Sequence, residues 1–365
     1  MYVFRLGVSQ HIYYKRTWQG GKMVNENIIK KTYNRLQDNV SRCIYEKRLL
    51  YSLTGDENYL YSLVRQNTGG GELLQKTLQE HESKPKVLFG AGFWGRRLRS
   101  FFSEAGWTCF VDNNLSLGTE VDGLPVVSVK ELSEKYSDAF VVISTRLYYQ
   151  QIKEQLLENG FPQDNICVVG EWQNEMLAQQ YFDPDIMTCS EGEAFVDGGA
   201  FDGQTSLAFH KWAKGKYANI WAFEPEGEMT VKCRELLKDF QNVSIINKGL
   251  WKEAGCVSFQ SDGVLSTVNE HADNVNKIPV VALDEVLKDK RVTFIKLDVE
   301  GSELEALQGA ERIIREQKPK LAISVYHKPQ DIWELPELIM SYGSDYKFYL
   351  RHYTLCEYDS VLYAV

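Results

Sequence analysis

Short apolar runs alternate with polar turns and with segments of helical spacing along most of this chain. Examples are the runs at 87–89, 139–143 and 220–223, each of which is followed by small or acidic residues. An apolar run followed by a turn and an amphipathic segment is typical of the strand–turn–helix units of a parallel sheet. The pattern therefore predicts an α/β protein with two Rossmann-like domains, preceded by a helical segment.

The first part of the chain follows a helical pattern instead. Apolar residues recur every three or four positions between Ile29 and Ile44, which predicts one amphipathic helix. A short helix is expected over Tyr59–Val64, and the three glycines at 69–71 predict a loop. We expect residues 1–84 to form a helical segment that packs on the following domain.

A glycine-rich turn lies near the start of the domain that we expect over residues 85–181. Gly90, Gly92 and Gly95 form G-x-G-x-x-G between a predicted strand and a predicted helix. Asp112 ends the next strand 20 positions after Gly92 (112 − 92), which is the spacing of a dinucleotide-binding fingerprint. The same glycines also suit a tight turn that lets a helix approach the sheet, and such folds occur without a nucleotide. A bound nucleotide in this domain is therefore one of two interpretations.

A second strand–turn–helix unit opens the last domain, which we expect over residues 190–365. Its strand ends at Asp197, its turn contains Gly199 and Gly203, and Glu224 ends the next strand 21 positions after Gly203 (224 − 203). An acid at that spacing reaches the hydroxyls of a ribose in nucleotide-type folds. The turn lacks Gly-Lys-Ser/Thr, which argues against a phosphate-binding loop. S-adenosylmethionine, which has a ribose and an adenine but no phosphate, fits better, with its amino group at Asp197.

Six segments of this last domain follow one another in order along the chain. They are VDGGAFDGQTS, FEPE, NKGLW, ALDEVL, IKLDVEGSELEALQGA and KPKLAISVYHKPQDIWELP, and they extend over roughly residues 190–350. In sequence, order and spacing these segments resemble the FkbM family of S-adenosylmethionine-dependent methyltransferases. The resemblance implies transfer of a methyl group, usually to a hydroxyl, and the acceptors of the family include sugars and other natural products.

The strand order of methyltransferases is also expected here, with a mostly parallel sheet and an antiparallel edge. Between the third and fourth strands, the segments 256–259 and 278–283 predict an inserted β pair. Residues 261–266 join the two segments and are expected to lie over the cofactor.

The cofactor site is predicted at the ends of strands and in the turns that follow them. Glu224 is the expected partner of the ribose, and Asn247 lies where the adenine is expected. The predicted cofactor-binding residues are Asp197, Gly199, Ala200, Gly203, Thr205, Glu224, Pro225, Asn247, Gly249, Leu250 and Asp298. A plain turn at Asp197, a solvated helix-start acid at Glu224 and ordinary turn chemistry at Asn247 are the structural alternatives.

Three residues are candidates for removing the proton of the acceptor. Asp298 and Glu300 alternate along one strand, so they share a face at its carboxyl end, where ligands bind in open α/β sheets. His327 ends the fifth strand near the same crevice, and a histidine can accept a proton near neutral pH. The expected catalytic residues are therefore His327, Asp298 and Glu300.

Other polar residues of this region are assigned to structure. Ser302 and Glu305 have the spacing of a capping box, and Glu303 lies where an acid favours the helix dipole. The three candidate catalytic residues carry oxygen and nitrogen ligand atoms for a divalent metal. The resemblance does not require one, and we predict no metal.

Composition narrows the class of protein. The net charge of −9 argues against a general nucleic-acid binder, and no apolar run approaches the ~20 residues of a membrane span. The seven cysteines are dispersed without a Cys-x-x-Cys pair, which favours reduced thiols and a cytoplasmic location. We expect a small-molecule or glycan acceptor as the partner.

Two other functions stay open at this point. One is an NAD(P)-dependent oxidoreductase that uses residues 85–170, and the other is a non-catalytic binding or assembly protein. The sequence leaves open the acceptor, its regiochemistry, the oligomeric state and the role of residues 1–25.

Overall fold

The computed structural model describes residues 26–115, 118–262, 265–269, 277–343 and 345–365. The chain divides into two compact units. Among the described residues, the larger unit contains residues 26–45 together with Tyr181–Arg351 and Ser360–Val365, and the smaller unit contains Glu46–Gln180 and His352–Asp359. The domain boundaries predicted at 1–84, 85–181 and 190–365 remain predictions, and residues 1–25 lie outside the described residues.

The described elements alternate as the apolar pattern predicts. The helices are α1 (Glu26–Arg35), α2 (Asn39–Thr54), α3 (Asn58–Asn67), α4 (Gly69–Glu80), α5 (Phe93–Phe101), α6 (Val129–Lys135), α7 (Tyr149–Glu158), α8 (Val169–Gln179), α9 (Gln204–Trp212), α10 (Gly227–Leu237), α11 (Leu283–Val286), α12 (Glu303–Gln308), α13 (Glu311–Gln317) and α14 (Asp331–Tyr342). The strands are β1 (Lys86–Phe89), β2 (Trp107–Val111), β3 (Glu120–Val121), β4 (Leu124–Val127), β5 (Phe140–Ile143), β6 (Ile166–Val168), β7 (Glu193–Gly198), β8 (Tyr217–Phe223), β9 (Val243–Ile246), β10 (Gly249–Leu250), β11 (Gly255–Asp262), β12 (Leu265–Asn269), β13 (Lys277–Val281), β14 (Phe294–Leu297), β15 (Lys320–Ser324), β16 (Phe348–His352) and β17 (Ser360–Ala364).

The smaller unit contains a six-stranded sheet in the order β3-β4-β2-β1-β5-β6. Strands β4, β2, β1, β5 and β6 are parallel to their neighbours, and β3 adds an antiparallel edge. Val87, Cys109 and Val141, from β1, β2 and β5, are fully buried in one apolar cluster. Near-continuous apolar strands of this kind are expected where helices cover both faces of a parallel sheet.

The larger unit contains a seven-stranded sheet in the order β16-β17-β15-β14-β7-β8-β9. The strands from β15 to β9 are parallel, and β17 runs antiparallel to β15. The sheet is therefore mostly parallel with an antiparallel edge, and the predicted fold class, a mixed α/β protein with mostly parallel sheets, is confirmed. Strand β7 is the middle one of the five parallel strands β15-β14-β7-β8-β9, so the turn after it opens at the centre of their carboxyl edge.

Aromatic side chains fill the layer between this sheet and α9. The rings of Phe195 on β7 and Phe209 on α9 stack with their centroids 4.3 Å apart, and the ring of Phe294 on β14 lies 4.9 Å from that of Phe195. All three residues are fully buried. Ring pairs of this kind contribute about 0.5–1.5 kcal/mol each beyond the burial of their area, so they hold α9 firmly behind the turn at the end of β7.

The inserted β pair forms within a small sheet of order β10-β13-β11-β12. Strands β11 and β13 are antiparallel, with Val257 opposite Ile278, so the predicted pair forms. The second strand is shorter than the predicted 278–283, because β13 ends at Val281 and Leu283 begins α11. The segment 261–266 does not lead directly from β11 to β13, because β12 pairs with β11 in a hairpin between them. Residues 263 and 264 of that hairpin lie outside the described residues, and its predicted position over the cofactor stays a prediction.

Two expectations for the first helices were wrong. The single helix expected over Ile29–Ile44 is two helices, because Asp38 starts α2 by accepting a hydrogen bond from the Ser41 N–H at 2.7 Å, while Leu36 pairs with Phe348. The three glycines expected to form a loop begin α4 instead, because Thr68 caps that helix through the N–H of Gly71 at 2.9 Å.

The described helices include none that is both long and apolar enough to cross a bilayer.

A close approach between two backbone segments explains the glycine at position 199. Gly199 has a φ of 76°, and a Cβ there would lie 1.8 Å from the carbonyl oxygen of Asp298, just after β14. A backbone oxygen cannot move away as a flexible side chain can. Only glycine therefore lets the turn after β7 pack against the end of β14.

We predict that Gly199→Ala destabilises the larger unit by at least about 1–3 kcal/mol, through this clash and the left-handed backbone. Thermal and urea unfolding of the full chain measure the effect. Gly227→Ala is the matched control, because Gly227 lies at the start of α10 with no atom within 4 Å of its Cβ position. Equal stability of the two variants would contradict the packing described here.

Candidate active site

The turn between β7 and α9 lies at the carboxyl end of the central strand of the larger unit. The N–H groups of Gly199 and Ala200 both donate to the carbonyl of Phe223 at 3.0 Å, which fastens the turn to the end of β8. Gly203 precedes α9 with a φ of 91°, and its N–H donates to Ala200. The turn is thus shaped by left-handed glycines, with Thr205 half-buried in the first turn of α9.

Glu224 links this turn to the end of β8. Its carboxylate accepts one hydrogen bond from the N–H of Phe201 at 2.9 Å and another from the N–H of Glu226 at 2.8 Å. Burial raises the pKa of Glu224 to about 7, although these two N–H groups oppose the rise. Each carboxylate oxygen accepts a single hydrogen bond from these groups, so each retains a lone pair for a further donor.

The residues predicted around the adenine lie beside Glu224. The side-chain amide of Asn247 donates to the carbonyls of Glu224 at 2.9 Å and Pro225 at 3.0 Å. A Cβ on Gly249 would lie 3.8 Å from that of Pro225, and Leu250 next to it is buried. Asn247 therefore joins the loop after β9 to the loop after β8. The start of β10 lies next to both loops.

Asp197 has protein partners on both carboxylate oxygens. One accepts a hydrogen bond from the Ser206 hydroxyl at 2.7 Å, and the other accepts one from the Lys296 ammonium at 3.0 Å. Lys296 also donates to the carbonyls of Gly198 at 3.0 Å and Gly199 at 2.7 Å. Asp197 is fully buried and Lys296 is 1% exposed. The pair holds the turn in shape, and the predicted contact of Asp197 with the amino group of a cofactor stays a prediction.

Asp298 follows β14 and is held by two tyrosines. The hydroxyl of Tyr181 donates to one carboxylate oxygen at 2.9 Å, and that of Tyr326 donates to the other at 3.0 Å. Burial opposes the ionisation of Asp298, yet the positive charges of Lys296 and His327 hold the pKa of this carboxyl below its ordinary value. Asp298 is therefore ionised and firmly oriented at neutral pH.

His327 follows β15 and is surrounded by carboxylates. Its Nε2 lies 3.7 Å from Asp298 Oδ1 and 3.5 Å from Glu300 Oε2, and its Nδ1 lies 3.0 Å from Glu303 Oε1. Burial favours the neutral ring, but the charge of Glu303 and the neighbouring Glu300 and Asp298 hold the pKa of His327 well above its ordinary value of 6.5. The three predicted catalytic residues thus meet, with the imidazole as a cation at neutral pH.

Glu303 belongs to this cluster and was missed by the sequence analysis. It lies in the first turn of α12, as predicted, but it is also fully buried, and its Oε1 accepts a hydrogen bond from the Val299 N–H at 2.9 Å. The predicted capping box was wrong as well, because the Ser302 side chain makes no capping hydrogen bond. Asp331 is buried nearby, where burial and the charge of Glu303 raise its pKa.

Tyr181, Tyr326 and Lys296 were also missed as parts of the site. A signal existed for Lys296 alone, because a lysine inside the apolar run Phe294–Leu297 must find a buried negative partner. The two tyrosines come from segments far from Asp298 in sequence, and no local pattern relates them to it.

The glycine-rich turn of the smaller unit repeats one feature of the larger unit. The Ala91 N–H donates to Asp112 Oδ2 at 2.9 Å, much as Phe201 donates to Glu224. A Cβ on Gly95 would lie 1.8 Å from the carbonyl oxygen of Gly90, so this glycine is needed for helix α5 to pack against the turn. The close packing accounts for Gly95 without a ligand, and a nucleotide here stays a prediction.

A groove of about 370 Å³ lies at the opposite ends of the strands of the larger unit, next to Glu193, Thr293 and Lys320. These residues lie at or before the starts of β7, β14 and β15, and Lys320 and Glu193 form an ion pair. Ligands of open α/β sheets bind at the carboxyl ends of strands, so we do not assign the cofactor to this groove.

Comparisons with solved structures find similarity to methyltransferases. The methyltransferase FkbM of Methylobacillus flagellatus KT has a similar structure, with a TM-score of 0.50 and 22% identity over 86% of this chain and 100% of that chain. Aeropyrum pernix fibrillarin, solved with bound S-adenosyl-L-methionine, shows 13% identity over 52% of this chain and 72% of its own, with a TM-score of 0.34. Precorrin-6y C5,15-methyltransferase of Geobacter metallireducens GS-15 shows 12% identity over 54% and 88%, with a TM-score of 0.33. The comparison with curated proteins gives no match.

The sheet of the larger unit thus has a methyltransferase-type fold. Residues 197–350 match the family described as the methyltransferase FkbM domain. The FkbM-type methyltransferase domain that the six sequence segments indicated is therefore found at residues 197–350.

We predict that Lys296→Met lowers the free energy of unfolding by about 3–5 kcal/mol, because Asp197 is left as a buried charge without its partner. Urea unfolding measures the loss, and adding Asp197→Asn to the same variant is expected to restore part of it. The control is Lys238→Met, which removes a side chain that is 56% exposed in a pair with Glu235, and we expect it to change the free energy of unfolding far less than Lys296→Met does. A Lys296→Met variant as stable as the control would show that the pair does not support the turn.

Proposed function

We propose that this protein transfers a methyl group from S-adenosylmethionine to a hydroxyl of a sugar, a glycan precursor or another small metabolite. The observation that carries the proposal is the position of Glu224 beside the left-handed turn at the carboxyl edge of the sheet. When bound, S-adenosylmethionine supplies a methyl group on a positively charged sulfur, and its C–S bond breaks with both electrons left on sulfur as the acceptor oxygen bonds to the methyl.

The residues at the ends of β7, β8 and β9 suit this cofactor. Glu224 has a free lone pair on each oxygen for the two hydroxyls of a ribose, and no Gly-Lys-Ser/Thr is available for a phosphate. Asn247, Gly249 and Leu250 border the same edge and would enclose the adenine. Gly199, Ala200, Gly203 and Thr205 would line the amino-acid part of the cofactor, with Asp197 behind them.

The acceptor is proposed to bind beside Asp298, Glu300 and His327. A polar set of carboxylates, an imidazole and the hydroxyls of two tyrosines suits a hydroxylated small molecule better than an apolar one. The assignment of a sugar or glycan rests on the FkbM resemblance. Alignment of donor and acceptor is expected to supply most of the catalysis, because the methyl group is already activated.

Glu300 is the group that we propose to accept the proton of the acceptor. A cationic His327 has no free lone pair for a proton, and Asp298 is a weak base whose oxygens are bonded to tyrosines. The Glu300 side chain is 51% exposed, and its Oε2 lies 3.5 Å from His327 Nε2. His327 would therefore orient the acceptor while Glu300 takes the proton, which revises the expectation that His327 is the base.

The net charge of the protein and its free cysteines support a proposal for its cellular location and its partners. The seven cysteines are free, and the net charge is −9, which supports a cytoplasmic enzyme that does not act on nucleic acid. A nucleotide in the smaller unit is a second candidate, supported by the contact of Asp112 with the turn at Ala91.

The test of this proposal is a comparison of ligands by thermal unfolding. S-adenosylhomocysteine, the demethylated product, is expected to raise the melting temperature, because a ligand that binds only the folded protein stabilises it. NAD(H) and NADP(H) are expected to cause little or no shift. A large shift with NAD(H) and none with S-adenosylhomocysteine would overturn the proposal in favour of an oxidoreductase.

The raised pKa of Glu224 makes the affinity depend on pH. The ionised carboxylate accepts both ribose hydroxyls, so affinity is expected to fall as protonation increases below pH 7, by about tenfold between pH 8 and pH 6. Calorimetry with S-adenosylhomocysteine measures this. Glu224→Gln should bind at least about tenfold more weakly at pH 8 and lose the dependence, whereas Glu228→Gln, at the exposed start of α10, should match the unchanged protein. A flat profile in the unchanged protein would remove Glu224 from the site.

The role of Glu300 is tested by turnover. Transfer of radiolabelled methyl from S-adenosylmethionine to a panel of free and nucleotide-linked sugars first identifies an acceptor. Glu300→Gln is then expected to lower the rate by about 10²–10⁴ with unchanged affinity for S-adenosylhomocysteine, because a carboxamide cannot take the proton. Glu311→Gln, in an exposed pair with Arg315, is the control. A full rate in Glu300→Gln would exclude this carboxylate as the base.

A further inference from the structure

Three segments of the larger unit bring metal-ligating side chains to one point. Asp298 follows β14, Glu303 begins α12 and His327 follows β15, and one ligand atom from each lies within 4.8 Å of those of the other two. Two ligands on opposite sides of a metal at about 2.1 Å each are ~4.2 Å apart, so small side-chain rotations suffice to close the set.

One carboxylate oxygen of this cluster is buried without a hydrogen bond. Glu303 is fully buried, and its Oε2 has no hydrogen-bond partner among the described residues. The side chain of His327 is 7% exposed, and its Nδ1 lies 3.0 Å from the other oxygen of this carboxylate, Glu303 Oε1. Such atoms are rare in folded proteins, because removing a polar group from water without a new partner costs about 1–3 kcal/mol.

The charges around His327 also favour a cation. Asp298, Glu300 and Glu303 bring three carboxylates to one imidazole, each within 3.7 Å of it. Lys296 lies nearby but is bonded to Asp197 and two backbone carbonyls. Three carboxylates therefore face one imidazole, and a divalent ion among them would offset part of their negative charge.

We infer that Asp298, Glu303 and His327 bind a divalent cation that accepts both oxygen and nitrogen ligands, such as Mn²⁺ or Zn²⁺. Two carboxylates and one imidazole are three protein ligands, which leaves further positions for water or for an oxygen of a small molecule. The inference goes beyond the sequence analysis, which predicted no metal. It also gives the unpartnered oxygen of Glu303 a binding role.

The inferred site deepens the proposed function, on which its role in catalysis rests. An acceptor hydroxyl that binds the cation becomes more acidic, because the positive charge stabilises the alkoxide. The proton would pass to Glu300, which lies outside the three ligands, and the oxygen would keep the electron pair that forms the bond to the methyl group. His327 would then act as a neutral ligand.

Metal binding can be tested without donor or acceptor. MnCl₂ and, separately, ZnCl₂ are titrated into the metal-free full chain and followed by calorimetry, with free Mn²⁺ also followed by electron paramagnetic resonance. We expect one ion per chain. Glu303→Gln and His327→Asn should each weaken binding at least tenfold, whereas Glu305→Gln, which removes a carboxylate of α12 outside the ligand set, should change it less than twofold.

Two results would contradict metal binding at Asp298, Glu303 and His327. Absence of binding of both ions to the folded chain would overturn it, and so would equal binding by Glu305→Gln and His327→Asn, since that result indicates a general acidic surface. If Glu303→Gln does not fold, Asp298→Asn and His327→Asn carry the test. The thermal shift with S-adenosylhomocysteine reports on the cofactor site alone, so a metal that fails to bind leaves the proposed methyl transfer standing.

Discussion

A buried ion pair between Asp197 and Lys296 joins the two central strands of the larger unit at the edge where the site lies. The two residues are opposite each other in the parallel pairing of β7 with β14, and the ammonium group also bonds the carbonyls of Gly198 and Gly199. One side chain therefore fixes the strand register, the direction of the turn and the distance between the turn and Asp298. A buried pair is not by itself strongly stabilising, so its value here is that it permits one geometry of the turn.

The proposed cofactor side and the proposed acceptor side of the site depend on this geometry in different ways. On the cofactor side, Glu224 fastens the turn to β8 through the Phe201 N–H while retaining lone pairs for a ligand. On the acceptor side, the carboxylates around His327 repel one another, and their negative charges raise the pKa of the imidazole, so it is protonated at neutral pH. The Glu224 carboxylate can therefore accept hydrogen bonds from neutral hydroxyls, whereas the group around His327 carries an excess of negative charge.

Local sequence patterns predicted the features that depend on neighbours in the chain. The strand–turn–helix at Asp197, the acid at Glu224 and the inserted β pair follow from spacing and alternation, and all three form at the predicted positions. The grouping of Glu303 with His327 could not be predicted, because α12 and the end of β15 meet only through the packing of the sheet. The break between α1 and α2 was missed for a similar reason, since Leu36 leaves the helical pattern to pair with a residue over 300 positions away.

Native mass spectrometry of the purified full chain tests the central claim most directly, because it identifies a bound small molecule by its mass. The account predicts a non-covalent complex with S-adenosylmethionine or S-adenosylhomocysteine, in one copy per chain, formed on purification or on addition of the ligand, and lost in Glu224→Ala. A complex with NAD(P)(H) in its place, or no complex with added S-adenosylhomocysteine, would contradict the account.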